Sequence, residues 1–147
     1  MLPDTLKTLL ATAYALSIKA QNFHWNVEGP DFPQYHSFFG DYYSEVYDNT
    51  IDKLAEIIRQ LDSYTPGSIT RYAELSQIAD QTKIPRAMLM MEELYHDNAI
   101  ILNMYKQAFH VANDADEQGI ANFIAERIDA HAKHKWMLRS ILKTARA

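Results

Sequence analysis

Two histidines twelve residues apart, His24 and His36, flank the segment Glu28-Gly29-Pro30-Asp31-Phe32-Pro33. Two prolines and a glycine stop any helix there, so each histidine sits near a helix end and faces the other across a tight connection. Neutral imidazole together with carboxylate suits iron, zinc or manganese. Carboxylates follow in a run: Asp41, Glu45, Asp48, Asp52 and Glu56 are spaced four, three, four and four residues apart. On a helix, at about 100° per residue, they fall within about 80° of one another. Each lies two residues after a member of the apolar series Phe39, Tyr43, Val46, Thr50 and Leu54, which is about 200° of rotation. The acidic stripe therefore points away from the core of its own chain. A solvated helix face is its simplest account. Two features oppose that account. Like charges on one face repel when no base is interleaved, and Lys53 and Arg59 lie off the stripe. Aromatic residues also crowd the region (Phe23, Trp25, Phe32, Tyr35, Phe38, Tyr42 and Tyr47), as in an oligomer contact. A metal held between subunits would neutralise the acids.

Four long helical segments position these residues. The first spans about 3–27, with the stripe Leu9, Ala13, Leu16, Ala20, Phe23 and Val27. The second spans about 34–62 and carries the acidic face. The third, about 85–113, opens on Pro85 and carries Met88, Met91, Tyr95, Asn98, Leu102, Tyr105, Phe109 and Ala112. The fourth, about 116–144, has acids at its start and bases at its end, as the helix dipole favours, and carries Ile120, Ile124, Ile128, His131, Leu138 and Leu142. A short helix near 71–77 is predicted inside the connection between the second and third. The fold class expected is all-α: a four-helix bundle with a short extra helix in the crossover between helices two and three, formed by residues 1–147 as a single domain.

Composition narrows the class further. The 147 residues include four Gly and five Pro, too few for a sandwich or barrel with frequent turns. The absence of cysteine excludes disulfide frameworks, thiolate zinc sites and cysteine nucleophiles. A net charge of −5 argues against a strongly basic nucleic-acid binder. No apolar stretch is long enough to span a membrane, and the N-terminus lacks the pattern of a signal peptide, so a cytoplasmic protein is expected.

The stretch Phe23-His24-Trp25-Asn26-Val27-Glu28-Gly29-Pro30-Asp31-Phe32, then His36, then Asp52-Lys53-Leu54-Ala55-Glu56 resembles the Dps family of miniferritins. The segment His131-Ala132-Lys133-His134-Lys135-Trp136-Met137-Leu138 resembles that family's C-terminal signature. The resemblance implies a ferritin-like bundle assembled as a hollow dodecamer. It implies ferroxidase sites between two-fold-related subunits, oxidation of Fe(II) to Fe(III) with peroxide as oxidant, storage of ferric mineral inside, and protection against oxidative stress. Zinc or manganese would compete for the same site. Carried over by position, His24 and His36 are ligands from one subunit and Asp52 and Glu56 from the other. Trp25 is the aromatic beside the site, able to take an electron.

One departure concerns the remaining ligand. The family places an Asp four residues after its second histidine, where this chain has Gly40; the acid here is Asp41. The interval from His36 to Asp52 is also one residue longer than the family's, which on a straight helix turns His36 about 160° from Asp52 where about 60° is needed. Either a π-bulge absorbs the extra residue, or His36 points elsewhere and the site has lost a ligand. Because Asp41 keeps the family's interval to Asp52, an insertion near 37–40 is the simpler account, which makes Asp41 the expected ligand. An insertion after residue 45 would instead match Tyr43-Ser44-Glu45 to a common family segment.

Other features carry less. Glu93 and His96 form a lone Glu-x-x-His pair; Glu126 is followed three residues on by Asp129, so a di-iron site inside the subunit's own core is not expected. Asp116 falls where the family's acids line three-fold pores, though the next acids in that pattern are replaced by Ala121 and Ala125. The basic last helix (Lys133, Lys135, Arg139 and Lys143) reads as dipole complementation. With no lysine-rich tail at either end, DNA binding is not expected. A DNA-compacting protein and a shell with an impaired site are the alternative readings.

Overall fold

A computed structural model describes residues 1–143. Among these there are six helices and no strand: α1 (Leu2–Asn26), α2 (Phe32–Asp48), α3 (Ile51–Gln60), α4 (Ile69–Leu75), α5 (Ala87–Asp114) and α6 (Gln118–Leu142). Helix α1 and the α2–α3 pair form one helical hairpin. Helices α5 and α6 form the other, and α4 lies against α1 within the crossover between them. This is the all-helical bundle expected from the periodicity, with the extra helix at 69–75 rather than 71–77. Among the described residues no helix is long and apolar enough to cross a membrane. Residues 144–147, which include the last residue of the fourth predicted helix and all but the first of the C-terminal Lys-Thr-Ala-Arg-Ala, lie outside the described residues.

The core forms where the apolar stripes meet. Leu9, Ala13, Leu16, Ala20, Phe23 and Val27, the whole stripe of α1, are buried. Leu94, Ile101 and Tyr105 of α5 face Ile124 and Leu138 of α6 in the same core. Tyr42 rather than Tyr43 takes the inward position on α2, because its hydroxyl finds a partner there, donating to Asn98 Oδ1 at 3.0 Å. Helix α1 is tied to α5 by a buried ion pair, Lys19 Nζ to Asp97 Oδ2 at 2.7 Å. Burial pushes the Asp97 carboxyl up, and Lys19 opposes it.

The second predicted helix is not continuous. It stops at Asp48 and restarts at Ile51, with Asn49 (φ −97°, ψ 0°) and Thr50 (φ −127°, ψ −50°) between. Asparagine and β-branched threonine are weak helix formers, and the Asn49 side chain bonds to Glu45 Oε2 at 3.0 Å. The break changes the helical phase. Before it, Phe39, Tyr42 and Val46 are buried; after it, Ile51, Leu54, Ile57 and Ile58. At 100° per residue the mean direction of the second set lies about 100° beyond that of the first, the rotation of one residue. The extra residue between His36 and Asp52 is thus absorbed at 49–50. The insertion expected near 37–40 is corrected to this later position, and a break takes the place of a π-bulge.

Deleting Asn49 should therefore let α2 and α3 fuse while every core residue keeps its inward direction, at a cost under about 1 kcal/mol. Deleting Lys53 should rotate Leu54, Ile57 and Ile58 out of the core and abolish cooperative unfolding. Thermal melts followed by circular dichroism compare the two.

Candidate metal site and its polar surroundings

His24 and His36 meet face to face. Their rings stack at 3.9 Å between centroids with 13° between planes. His24 Nδ1 lies 2.6 Å from the backbone oxygen of His36, and His36 Nδ1 lies 2.6 Å from that of His24. A carbonyl only accepts, so both Nδ1 atoms carry hydrogen and donate. In the neutral rings this leaves the Nε2 lone pairs as the available ligating atoms. Phe32 stacks on the outer side of His36 at 5.0 Å, and Tyr43 approaches His24 at 5.6 Å.

Gly40 makes the close approach possible. A Cβ placed there would lie 2.8 Å from His24 Cε1 and 2.9 Å from His24 Nδ1, which no side chain tolerates without moving the ring. Asp41 is one residue, about 100°, further round the helix. It is exposed and lines a different cavity, shared with Tyr42, Glu45, Lys133 and His134 between α2 and α6. The structure brings Gly40, not Asp41, to the histidines.

Asp52 and Glu56 lie one turn apart on the exposed face of α3. After the phase change at 49–50 they hold the direction that a fifteen-residue interval from His36 would give in an unbroken helix. Along the axis, however, Asp52 is roughly 24 Å and Glu56 roughly 30 Å from His36 at about 1.5 Å per residue. Within one chain the imidazoles and these carboxylates cannot share an ion, and no cluster of three or more His, Asp or Glu suited to a metal occurs among the described residues. Around the histidine half, Trp25 is 63 % exposed and Phe32 39 %, and Tyr47 further along α2 is 44 % exposed.

Glu45 departs from the expected outward stripe. It turns to α6, where Arg127 Nη1 donates to Oε2 at 2.6 Å, Arg127 Nη2 to Oε1 at 2.9 Å and His134 Nε2 to Oε1 at 2.7 Å. Burial alone would raise its carboxyl; the bonds from His134 and Arg127 outweigh this and hold it far below the usual carboxylate range. The network continues inward. Arg127 Nη2 approaches His131 Nε2 at 3.3 Å, His131 Nδ1 donates to Asn98 Oδ1 at 2.7 Å, and Asn98 Nδ2 donates to the His131 carbonyl at 3.0 Å. Burial and the charge of Arg127 keep His131 neutral. Periodicity missed Arg127 altogether because charged residues are not looked for on a buried face. Of the remaining candidates, Glu93 is occupied by Gln81 Nε2 at 3.0 Å and His96 is exposed. Asp116 sits at φ 61° in the turn between α5 and α6, its carboxylate accepting from Gln118 at 2.7 Å.

A bundle of two paired-helix hairpins carrying imidazole and carboxylate donors is the architecture of the ferritin-like class, here with half-buried imidazoles and exposed carboxylates at separate places on one chain. Residues 4–147 match the family model for the ferritin-like domain, and the chain belongs to that family, among its Dps-type miniferritins. It is 30 % identical over 94 % of its length to the "DNA protection during starvation protein" of Brevibacillus brevis, covering 92 % of that protein. Its fold matches Dps from Staphylococcus aureus with a TM-score of 0.93 at 28 % identity, over 98 % of this chain and 96 % of that one. It matches a Vibrio cholerae Dps, described as a member of a broad superfamily of ferritin-like diiron-carboxylate proteins, with a TM-score of 0.92 at 27 % identity, over 97 % and 89 % of the two chains.

Two substitutions test the site's construction. Gly40→Ala should displace His24 from its stack, costing about 1–3 kcal/mol and shifting the resonances of both imidazoles in NMR spectra. Glu45→Gln should cost about 2 kcal/mol near neutral pH by weakening the bonds to buried Arg127. Glu45 has a folded pKa below its unfolded one, so its contribution is complete above about pH 4.3 and is lost as pH falls toward the folded value. Urea titrations of parent and variant should therefore converge on acidification.

Proposed function

We propose that this chain is an iron-oxidising, iron-storing miniferritin whose metal sites lie between two copies. The observation that carries the reading is the division of the donor set: two imidazoles with their Nε2 atoms free at one end, and an exposed Asp52–Glu56 pair roughly 24–30 Å away. A two-fold arrangement in which each copy offers its histidines to the other's carboxylates completes two equivalent sites. The exposed Trp25, Phe32 and Tyr47 are apolar surface that such a partner would cover. Fe(II) is the substrate. Imidazole suits the ferrous ion and carboxylate the harder ferric product, and hydrogen peroxide is the oxidant proposed. Ferric ions would pass to a mineral within a hollow shell, for which a dodecamer is the arrangement proposed, with Asp116 at a pore. Zinc and manganese would compete at the same donors. The ligands proposed are His24, His36, Asp52 and Glu56, with Trp25 alongside. The placement of Gly40 and Asp41 supports a site one carboxylate poorer than the family's pattern.

Relatives called DNA protection during starvation proteins favour a second reading, DNA protection, which we test as direct binding. Gel shifts separate the two: retention of DNA by the assembled protein at ~150 mM salt, with the steep salt dependence of phosphate contacts, supports it.

Anaerobic loading with Fe(II) followed by hydrogen peroxide tests the first reading through growth of ferric absorbance over a protein-free control. Asp52→Ala should slow the reaction by about tenfold or more, and Asp41→Ala by less than about twofold. No gain over the control removes the ferroxidase reading; equal slowing by both variants returns Asp41 to the ligand set.

A further inference from the structure

A row of phenols leads away from the histidine pair. Tyr43 lies 5.6 Å from His24 between ring centroids. Tyr47 is its neighbour one turn on, at the i+4 position where side chains meet. Tyr47 packs edge-on against Tyr14 at 5.8 Å, and Tyr14 stacks on Tyr72 of α4 at 4.4 Å with 13° between planes. Tyr43, Tyr47 and Tyr14 border one cavity of about 220 Å³ together with Ser17, Ile18 and Gln21. Ring contacts thus join α1, α2 and α4 from Tyr47 through Tyr14 to Tyr72, and the step from Tyr43 to Tyr47 runs along one helix face beside the shared cavity. Its far members hold their protons firmly: the neighbouring Tyr14 and partial burial push the Tyr47 hydroxyl up, and burial and Tyr14 do the same for Tyr72. Bundle packing alone does not call for tyrosine at these places; phenylalanine would fill the same volume.

We propose that Tyr43, Tyr47, Tyr14 and Tyr72 form a redox relay that supplies an electron to the oxidant at the histidine pair. The proposal rests on the ferroxidase reading. Peroxide takes two electrons, whereas each Fe(II) gives one. The relay serves the case in which peroxide meets a single Fe(II), at a site short of one carboxylate with Gly40 against His24. The second electron then comes from a phenol: one hydrogen peroxide, one Fe(II), one tyrosine O–H and one proton from solvent yield Fe(III), a tyrosyl radical and two waters. The O–O bond breaks, iron and tyrosine are each oxidised by one electron, and the phenolic proton ends in water. The radical moves along the row toward Tyr72, and hydroxyl radical is not released.

The test is rapid-freeze electron paramagnetic resonance on the assembled protein, loaded anaerobically with substoichiometric Fe(II) and mixed with hydrogen peroxide. The expected result is a radical signal that narrows when the protein is grown on ring-deuterated tyrosine and persists in Trp25→Phe. It should fall several-fold in Tyr43→Phe, with a matching rise in spin-trapped hydroxyl radical. Circular dichroism confirms that Tyr43→Phe is folded. Ferric product with no tyrosyl signal in the parent, or a signal of undiminished size in Tyr43→Phe, overturns the relay while leaving the ferroxidase reading intact. Failure to form ferric product overturns both.

Discussion

Two hydrogen bonds govern the geometry of this protein's working end. Each runs from the Nδ1–H of one histidine to the backbone oxygen of the other, across the turn between α1 and α2. Together they fix the tautomers, hold the rings in a stack and clamp the last turn of α1 to the first turns of α2. The clamp has a steric condition, the bare Cα of Gly40. Helix α2 is thereby set so that Tyr42 enters the core and Glu45 reaches α6, while Tyr43 stays beside the imidazoles.

Helix α6 follows a different logic from α1. It buries Arg127, His131 and His134 along with Phe123, Ile124 and Leu138. A buried guanidinium needs its charge met, and Glu45 meets it from α2 with one bond to each Nη, while Arg127 Nε has no partner. Directional bonds of this kind define the rotation and height of α6 more sharply than apolar contacts, which slide at little cost. The Lys19–Asp97 pair does the same between α1 and α5.

The bundle was largely legible in the residues. Leu9, Ala13, Leu16, Ala20, Phe23 and Val27 step by four and three with nothing to compete, and all are buried. The Gly-Pro segment marked the first turn and the exposed Asp52–Glu56 face followed from spacing alone. The interruption at Asn49–Thr50 is legible only as the alternative of an insertion after residue 45, because no proline or glycine announces it; two weak helix formers break a helix only when core packing favours the new phase. That omission carried over to Asp41, whose spacing to Asp52 looked right on a helix that was wrongly taken as continuous. Glu45 was grouped with solvent-facing acids because its partners lie more than 80 residues away in the chain. The imidazole stack was hinted at by the two histidines bracketing a turn, but the need for glycine at position 40 is visible only in three dimensions.

The interruption between α2 and α3 also bears on how relatives of this chain are compared. A joint that absorbs one residue lets the two halves change length independently while each keeps its own face to the core. An insertion or deletion there is nearly silent for folding, yet it moves every downstream number by one. Aligning such chains as unbroken helices will then pair Asp52 with a neighbour of its true counterpart, and donors that correspond will look displaced. Comparing which residues face inward on each half, rather than how far apart they stand in the chain, recovers the correspondence.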